Sequence, residues 1–553
     1  MAWWHRWFDP LPSTTPASLG TDLRRLELLA ALGVVLGLVG GVAAFLVVHL
    51  VGLISNLALL HRVGFDLPDL RHYHPSWLLV PIALLGGLVV VAIARWAPMV
   101  KGHGIPESLE AIRRHESRIR PRAALAKPVA SAVAMGTGGP FGAEGPIIVT
   151  GASLGSILGQ LIPVSPSERK ILLATGAAAG MAGVFATPVA AVVLAFELLL
   201  FERSLRALVP LVLATGIAAA LHHVLISPHP LFALRHDPLV SSAQLPLFAL
   251  VGLAAGVLAV VVDKGLFAFE AGFRHLPLPT WSFPLIGSLG FALVGLVVPG
   301  SLSVGYWAIT DAVNNRFVLG GVAVLFVGKL VSWWVSLASG TAGGTLAPMF
   351  LIGATMGEMV GVAFAHLFPG AHIAPGAFAL VAMGVTFGVG ARALLTGVVF
   401  AAEVTGGYHL LVPLLVATGV AELVAHRFLV ERVMTEKLAR RGVRIDFDTE
   451  SDPLRSFTAG EVAPSGRRPS RPSRTPVVDA ASTLAEVLPA LTTSPGGEVA
   501  VVDERGAVLG VLTPSEVTGL LAARARQEVI QAPTLRLPWP GVLRRRARED
   551  QGT

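Results

Sequence analysis

A proline-led block of ten residues occurs twice in this chain. Pro146-Ile-Ile-Val-Thr-Gly-Ala-Ser-Leu-Gly155 matches Pro348-Met-Phe-Leu-Ile-Gly-Ala-Thr-Met-Gly357, with the proline, both glycines, the alanine and a hydroxyl residue at identical spacing. Downstream, Ala174-Thr-Gly176 with Gly180 recurs as Ala382-Met-Gly384 with Gly388, and the run from Val192 to Glu197 recurs from Val398 to Glu403. Convergent small-residue helix packing would explain the glycines and alanines but not the ordered return of Pro, Ser/Thr and Glu. The repeats span about 25–225 and 245–430, and an internal duplication of apolar segments is the pattern of membrane transport folds.

Composition agrees. Of 553 residues 53% are hydrophobic and only 14% charged, against about 25% charged in soluble domains. The chain therefore belongs in a bilayer, and disorder, collagen and a disulfide scaffold are excluded by hydropathy, by the lack of a glycine period and by zero cysteines. The formal charge of +7 belongs to cytoplasmic loops by the positive-inside rule, which is preferred here to nucleic-acid binding. Met1 to Leu26 has three prolines among tryptophans and no apolar core before a cleavage site, so a removable signal peptide is not expected.

The first apolar run, Leu28 to Leu60, would span roughly 50 Å as a helix, beyond a hydrocarbon core of about 30 Å, and must tilt. Later runs such as Ala123–Val133 and Ile147–Ile162 are short or broken by Gly and Pro. Broken helices are tolerated at membrane depth only where the loosened backbone is buried or lines a polar cavity.

Glycine-rich, proline-terminated turns open helices at Gly102-His103-Gly104-Ile105-Pro106, at Gly142-Ala143-Glu144-Gly145-Pro146 and at Gly344-Thr345-Leu346-Ala347-Pro348. Proline suits the first helical turn, and glycine lets the backbone approach a ligand. Free N–H groups and the positive helix ends then face a common point, an anion site without a buried cation.

These motifs, in this order, with Glu107 after the first, Lys127 between the first and second and a small module after the membrane part, resemble the chloride channel and transporter family called CLC. The resemblance covers about residues 25–445. It implies an all-α polytopic fold of two inverted repeats with broken, tilted helices, in a homodimer whose subunits each carry a pore for chloride or another small anion. It implies anion binding by Gly102 to Pro106, by Gly142, Ala143, Gly145 and Pro146, and by Gly344, Thr345 and Leu346, with Glu144 as the outer gate that leaves when protonated. Lys127 matches a lysine behind the pathway; a snorkelling surface lysine is the blander alternative.

Departures bear on mechanism. His103 stands where the family has serine; it can donate to the anion, adding charge when protonated, or turn away and bond to backbone. Met434 takes the place of the other central ligand, a tyrosine, and offers no hydroxyl. Ala143 replaces the usual arginine before the gate. Leu198 stands where proton-coupled members carry an inner acidic proton acceptor, while the preceding Glu197 is expected to share a structural role with Glu403. The expected function is therefore passive or loosely coupled anion conduction gated by Glu144, with chloride the expected anion. The alternative is proton-coupled exchange with His103 as the inner proton carrier, selective for chloride or for another anion.

Beyond the membrane part, 446–474 reads as a linker and 475–525 as an α/β module: strands at Val477-Val478, Val499–Val502 and Val508–Leu512, helices from Leu484 and after Thr513. It resembles a single CBS module, which implies an adenine nucleotide near Thr513 and Glu516, or a purely structural dimer contact. Residues 526–553 read as a basic, disordered tail, and 1–24 as a cytoplasmic segment. Enzymatic activity is not expected: His115-Glu116 begins like a zinc motif but Ile119 stands where the second histidine is needed, and no carboxylate cluster suggests a metal site. No cofactor is required; the partners are the anion, lipid and a second copy of the chain.

Overall fold

The computed structural model describes residues 23–100, 102, 104–200, 204–235, 240–440 and, toward the C-terminus, 454, 457–464, 466, 469, 475–494, 496–503 and 506–525. The first repeat consists of α1 (Leu23–Leu60), α2 (Leu79–Trp96), α3 (Ile105–Arg114), α4 (Ala123–Gly136), α5 (Glu144–Leu161), α6 (Pro166–Phe185), α7 (Pro188–Leu194, continuing as a π-helix over Ala195–Leu200) and α8 (Leu205–Leu225). The second returns them in order: α9 (Leu245–His275), α10 (Phe283–Val297), α11 (Tyr306–Val313), α12 (Leu319–Ala338), α13 (Leu346–Leu367), α14 (Pro375–Ala391), α15 (Leu394–Thr405) and α16 (Leu411–Phe428). A short α17 (Glu436–Arg440) follows. The duplication read from three blocks thus extends to every membrane helix among the described residues. Among the described residues seven helices are long and apolar enough to cross a bilayer, α1, α2, α8, α9, α12, α13 and α16.

Close helix contact is made possible by glycine at four-residue spacing. A β-carbon on Gly155 would fall on the carbonyl oxygen of Leu172, and one on Gly357 on that of Phe378, so α5 lies on α6 and α13 on α14 with backbone touching backbone. With little hydrophobic drive between helices in lipid, such packing supplies the association.

Packing also sets direction. Arg25 at the start of α1 pairs with Glu168 at the start of α6, which Arg206 at the start of α8 also reaches at 3.1 Å. Phe232 and Leu234, beyond the far end of α8, meet the end of α15, Phe232 N–H donating to Val404 at 3.0 Å and Leu234 N–H to Thr405 at 3.4 Å. Helix α16 starts from there and runs alongside α9, with Gly252 against Ala417 and Gly256 against Ala421. The ends of α9 and α16 therefore share the membrane face with Arg25, Arg169, Arg206 and Arg440. That face is the more basic, hence the cytoplasmic one.

Strands β1 (Val477–Asp479), β2 (Val499–Val502) and β3 (Val508–Leu512) form a sheet in order 1-2-3, parallel then antiparallel, packed with α19 (Leu484–Thr493) and α20 (Pro514–Ala525), as the sequence predicts. The core of this module extends further back than residue 475. A short α18 (Ala459–Val462) buries Ala459 in it, with Leu454 and Phe457 packed alongside, and Gly466 N–H donates to Leu509 at 3.0 Å. The linker composition around Pro464 hides this, because Pro, Ser and Arg set the local pattern while a few apolar residues do the docking. The tail from 526 and the segment 1–22 lie outside the described residues.

Candidate functional site

The glycine-proline turns meet at one place. Gly102 pairs with Ala342 in a parallel bridge, and Gly343 N–H donates to Gly102 at 3.4 Å. Gly142 and Gly344 pair antiparallel, each N–H donating to the other's carbonyl at 3.2 and 3.0 Å. The amides of Gly142 and Gly344 are thus consumed in fastening the two repeats together. Of the N–H groups at the helix starts, that of Ala143 faces the Tyr306 phenol oxygen, those of Glu144 and Ala347 face the Glu144 carboxylate, and those of Gly145 and Leu346 complete the set. Pro146 and Pro348 have none to give. The Thr345 hydroxyl is buried and has no hydrogen-bond partner among the described residues.

Glu144 is fully buried at the start of α5. Its carboxylate turns toward the start of α13: Ala347 N–H faces it, as does its own N–H, and a β-carbon on Gly344 would come within 2.8 Å of Oε2. Oε2 has no hydrogen-bond partner among the described residues. Tyr306, the first residue of α11, donates its phenol O–H to Oε1 at 3.1 Å. The tyrosine ring is held edge-on by Phe232, centroids 5.5 Å apart, and lies 6.0 Å from Phe185. A cavity of about 200 Å³ is lined by Leu67, Asp69, Leu231, Ser303, Tyr306 and Trp307. Tyr306 therefore both lines that cavity and bonds to the glutamate.

Sequence reasoning missed Tyr306 and with it Lys329. Lys127 is not a snorkelling lysine: it is buried on α4 and donates to the carbonyls of Val100 at 2.7 Å and Gly102 at 2.5 Å. Lys329 on α12 does the same, donating to Ser301 at 3.1 Å and Ser303 at 2.9 Å. Each lysine ties down the loop before a helix that begins at a left-handed glycine, Gly104 (φ 92°) for α3 and Gly305 (φ 77°) for α11. Lys329 also attracts Glu144 electrostatically. The signal was present: Lys329 follows Lys127 by the offset that separates Pro348 from Pro146. Lys329→Met is expected to lower the thermal midpoint of the purified protein, since each orphaned buried carbonyl costs about 1–3 kcal/mol; heating followed by size-exclusion chromatography checks it.

Glu197 and Glu403 trade places across the repeats. Glu197 accepts from the N–H groups of Leu395 and Thr396 at the start of α15, at 2.9 and 2.8 Å. Glu403 accepts from Val189 and Ala190 at the start of α7, at 3.1 and 2.7 Å. Leu198 is buried among apolar residues and brings no carboxylate. His103 lies outside the described residues, whereas Ile105 and Pro106 are buried in the first turn of α3. Met434 is buried, and α17 just after it packs on α3.

In the module, Thr513 and Glu516 serve each other. Thr513 N–H donates to Glu516 Oε2 at 2.9 Å and its hydroxyl bonds to the same oxygen, capping α20. Burial pushes the Glu516 carboxyl up, but these bonds outweigh it and hold the group below the ordinary glutamate value.

Paired repeats, converging helix starts and a buried glutamate among them define a multi-pass membrane protein that passes anions. The family model described as voltage gated chloride channel matches residues 85–426, and the chain belongs to that family, whose members move ions rather than transform substrates. It is 29% identical over 423 residues to the H(+)/Cl(-) exchange transporter ClcA of Vibrio campbellii, covering 74% of this chain and 87% of that protein. Among solved structures it resembles a slow cyanobacterial Cl-/H+ antiporter, with TM-score 0.66, 26% identity and coverage of 77% and 99% of the two chains. It also shares the fold of a eukaryotic CLC transporter, with TM-score 0.61, 22% identity and coverage of 91% and 89%.

Proposed function

We propose that this protein carries chloride across the membrane past the convergence of α3, α5 and α13, with Glu144 as the gate. One observation carries the proposal: a carboxylate buried at the start of one helix lies against the start of another, occupying the position an anion would take. A helix start favours any negative charge, so the glutamate and the anion compete for it. Ala143, Gly145, Leu346 and Thr345 are the groups we assign to the anion, with Gly102 to Pro106 and Met434 nearer the cytoplasm. The assembly we propose is a homodimer with one pathway in each chain. In the C-terminal module a structural contact is preferred to an adenine nucleotide, because Thr513 and Glu516 are already engaged with each other.

The test is chloride efflux from proteoliposomes, and Tyr306→Phe sharpens it. The change keeps the ring and its packing and removes one hydrogen bond to a carboxylate, about 1.5–3 kcal/mol before water compensates. Efflux at neutral pH is expected to rise roughly tenfold. The rise should vanish in a Glu144→Gln background, because the hydroxyl acts only through the carboxylate. An equal rise in both backgrounds would assign Tyr306 to the pore wall instead.

Leu198 without a carboxylate, and Glu197 engaged as a cap, support passive or loosely coupled conduction. A second reading, exchange of chloride for protons, is favoured by the relatives' descriptions as exchangers and antiporters. The geometry at 197–198 removes one route for a proton from the cytoplasm, not every route.

A further inference from the structure

Helix α9 carries an aspartate deep in its cytoplasmic half that nothing above employs. Asp263 is fully buried in an otherwise apolar stretch. Its Oδ2 accepts from the N–H of Val433 at 3.3 Å, and Oδ1 has no hydrogen-bond partner among the described residues. Capping Val433 needs only an acceptor, which an asparagine would supply without burying an acid. A buried carboxylate is costly unless it is paired or takes up a proton.

The neighbours do not pair it. Arg432 exerts a favourable field on it, but its guanidinium is spent on Glu422 of α16 at 2.8 Å and on the carbonyl of Val389. Lys264 turns away toward the ring of Phe428. From the segment before α17, Glu431 is bound by the Thr435 hydroxyl. From α14, the charged residue nearest in sequence to the contact is Arg392, which caps that helix two residues beyond Gly390. From α12, Trp334 donates its indole N–H to the carbonyl of Val262 at 2.9 Å, and from α13 Met349 reaches Gly390.

Position gives the carboxylate a use. Val433 adjoins Met434 of the pathway. A β-carbon on Gly390 would sit 3.4 Å from Oδ1 and 2.5 Å from the end of Met349, so glycine keeps Asp263 close to the first turn of α13. The same turn faces Glu144 through Ala347 on its other side. Seven residues along α9, about 10 Å nearer the cytoplasm on the same face, Glu270 meets Arg440 of α17 at 3.5 Å. Arg440 also pairs with Glu436, whose other oxygen has no hydrogen-bond partner among the described residues.

We infer that Asp263 is the inner proton station of this protein: it takes a proton from cytoplasmic water by way of Glu270 and Glu436, and passes it past Met434 and Met349 to Glu144. Water carries the proton across the gaps between these carboxylates: at each hop one O–H bond breaks as the next forms, each water is regenerated as it passes a proton on, and no other bond changes. The inference deepens the second reading above, exchange of chloride for protons, and fails separately from anion transport itself.

The experiment uses the full chain in vesicles of phosphatidylethanolamine and phosphatidylglycerol, with chloride efflux and proton uptake recorded together under an outward chloride gradient. The wild type is expected to move protons uphill. Asp263→Asn, which keeps the acceptor for Val433, is expected to retain chloride efflux within about threefold while proton uptake falls at least tenfold; Asp263→Glu should restore it. Should Asp263→Asn not assemble, Asp263→Ser is read for the same split. Proton uptake in either neutral variant equal to the wild type overturns the inference, as does chloride efflux without proton uptake in the wild type. Absence of chloride efflux in the wild type would instead overturn the transport reading.

Discussion

Glu144→Gln is expected to raise chloride efflux at neutral pH by ten- to thirtyfold and to flatten its dependence on pH. The amide fills the same space but carries no charge, so it no longer competes for the start of α13. A charge at a partly buried helix end is worth up to about 2 kcal/mol, or roughly thirtyfold in rate if the whole of it opposes the anion. The Tyr306 hydroxyl can still donate to the amide oxygen, so the side chain is not displaced by loss of its partner. Efflux measured from pH 5 to 8 checks both parts. The carboxylate form dominates at the alkaline end and blocks; protonation frees it at the acid end, so wild-type efflux should climb as pH falls and approach the variant's level. Wild-type efflux that rises with pH would refute the gate.

Gly155→Val is expected to abolish recovery of folded protein. The new β-carbon would land on the Leu172 carbonyl, which belongs to the backbone of α6 and cannot rotate away as a side chain would. Overpacking typically costs about 1–3 kcal/mol, and a backbone contact lies at or above the upper end. Separating α5 from α6 would also move Glu144 away from Tyr306 and α13. Size-exclusion profiles of detergent-solubilised protein give the readout, with Gly216→Val as a control, since nothing lies near a β-carbon there.

The turn that carries Glu144 could be read from sequence because glycine and proline act locally. Gly142 and Pro146 fix a turn and a helix start wherever they fall in a fold, so the three motifs could be placed before their convergence was known. The partner of Glu144 could not. Tyr306 opens α11 without a proline, and Gly305-Tyr306-Trp307 shares only its glycine with Gly104-Ile105-Pro106; the hydrogen bond to Glu144 crosses from one repeat to the other. Aligning the halves through Lys127 and Lys329 would have exposed it. Asp263 was illegible for a related reason: a single acid in a long apolar helix looks incidental until the chain returns at Val433 and Gly390 to enclose it. The broken apolar runs signalled short helices correctly, whereas the docking of Ala459 and Phe457 onto the C-terminal module turned on a few apolar contacts beyond the reach of composition.

The exchange of carboxylates between Glu197 and Glu403 bears on how the protein is assembled during synthesis. While only the first half has left the ribosome, the amides of Val189 and Ala190 have no carboxylate to meet, and in lipid no water replaces it. Helix α7 can settle only once residue 403 has been inserted, and by then Glu197 is already waiting for α15. Neither half can complete itself, so two separately expressed halves should recover activity together and neither should be stable alone.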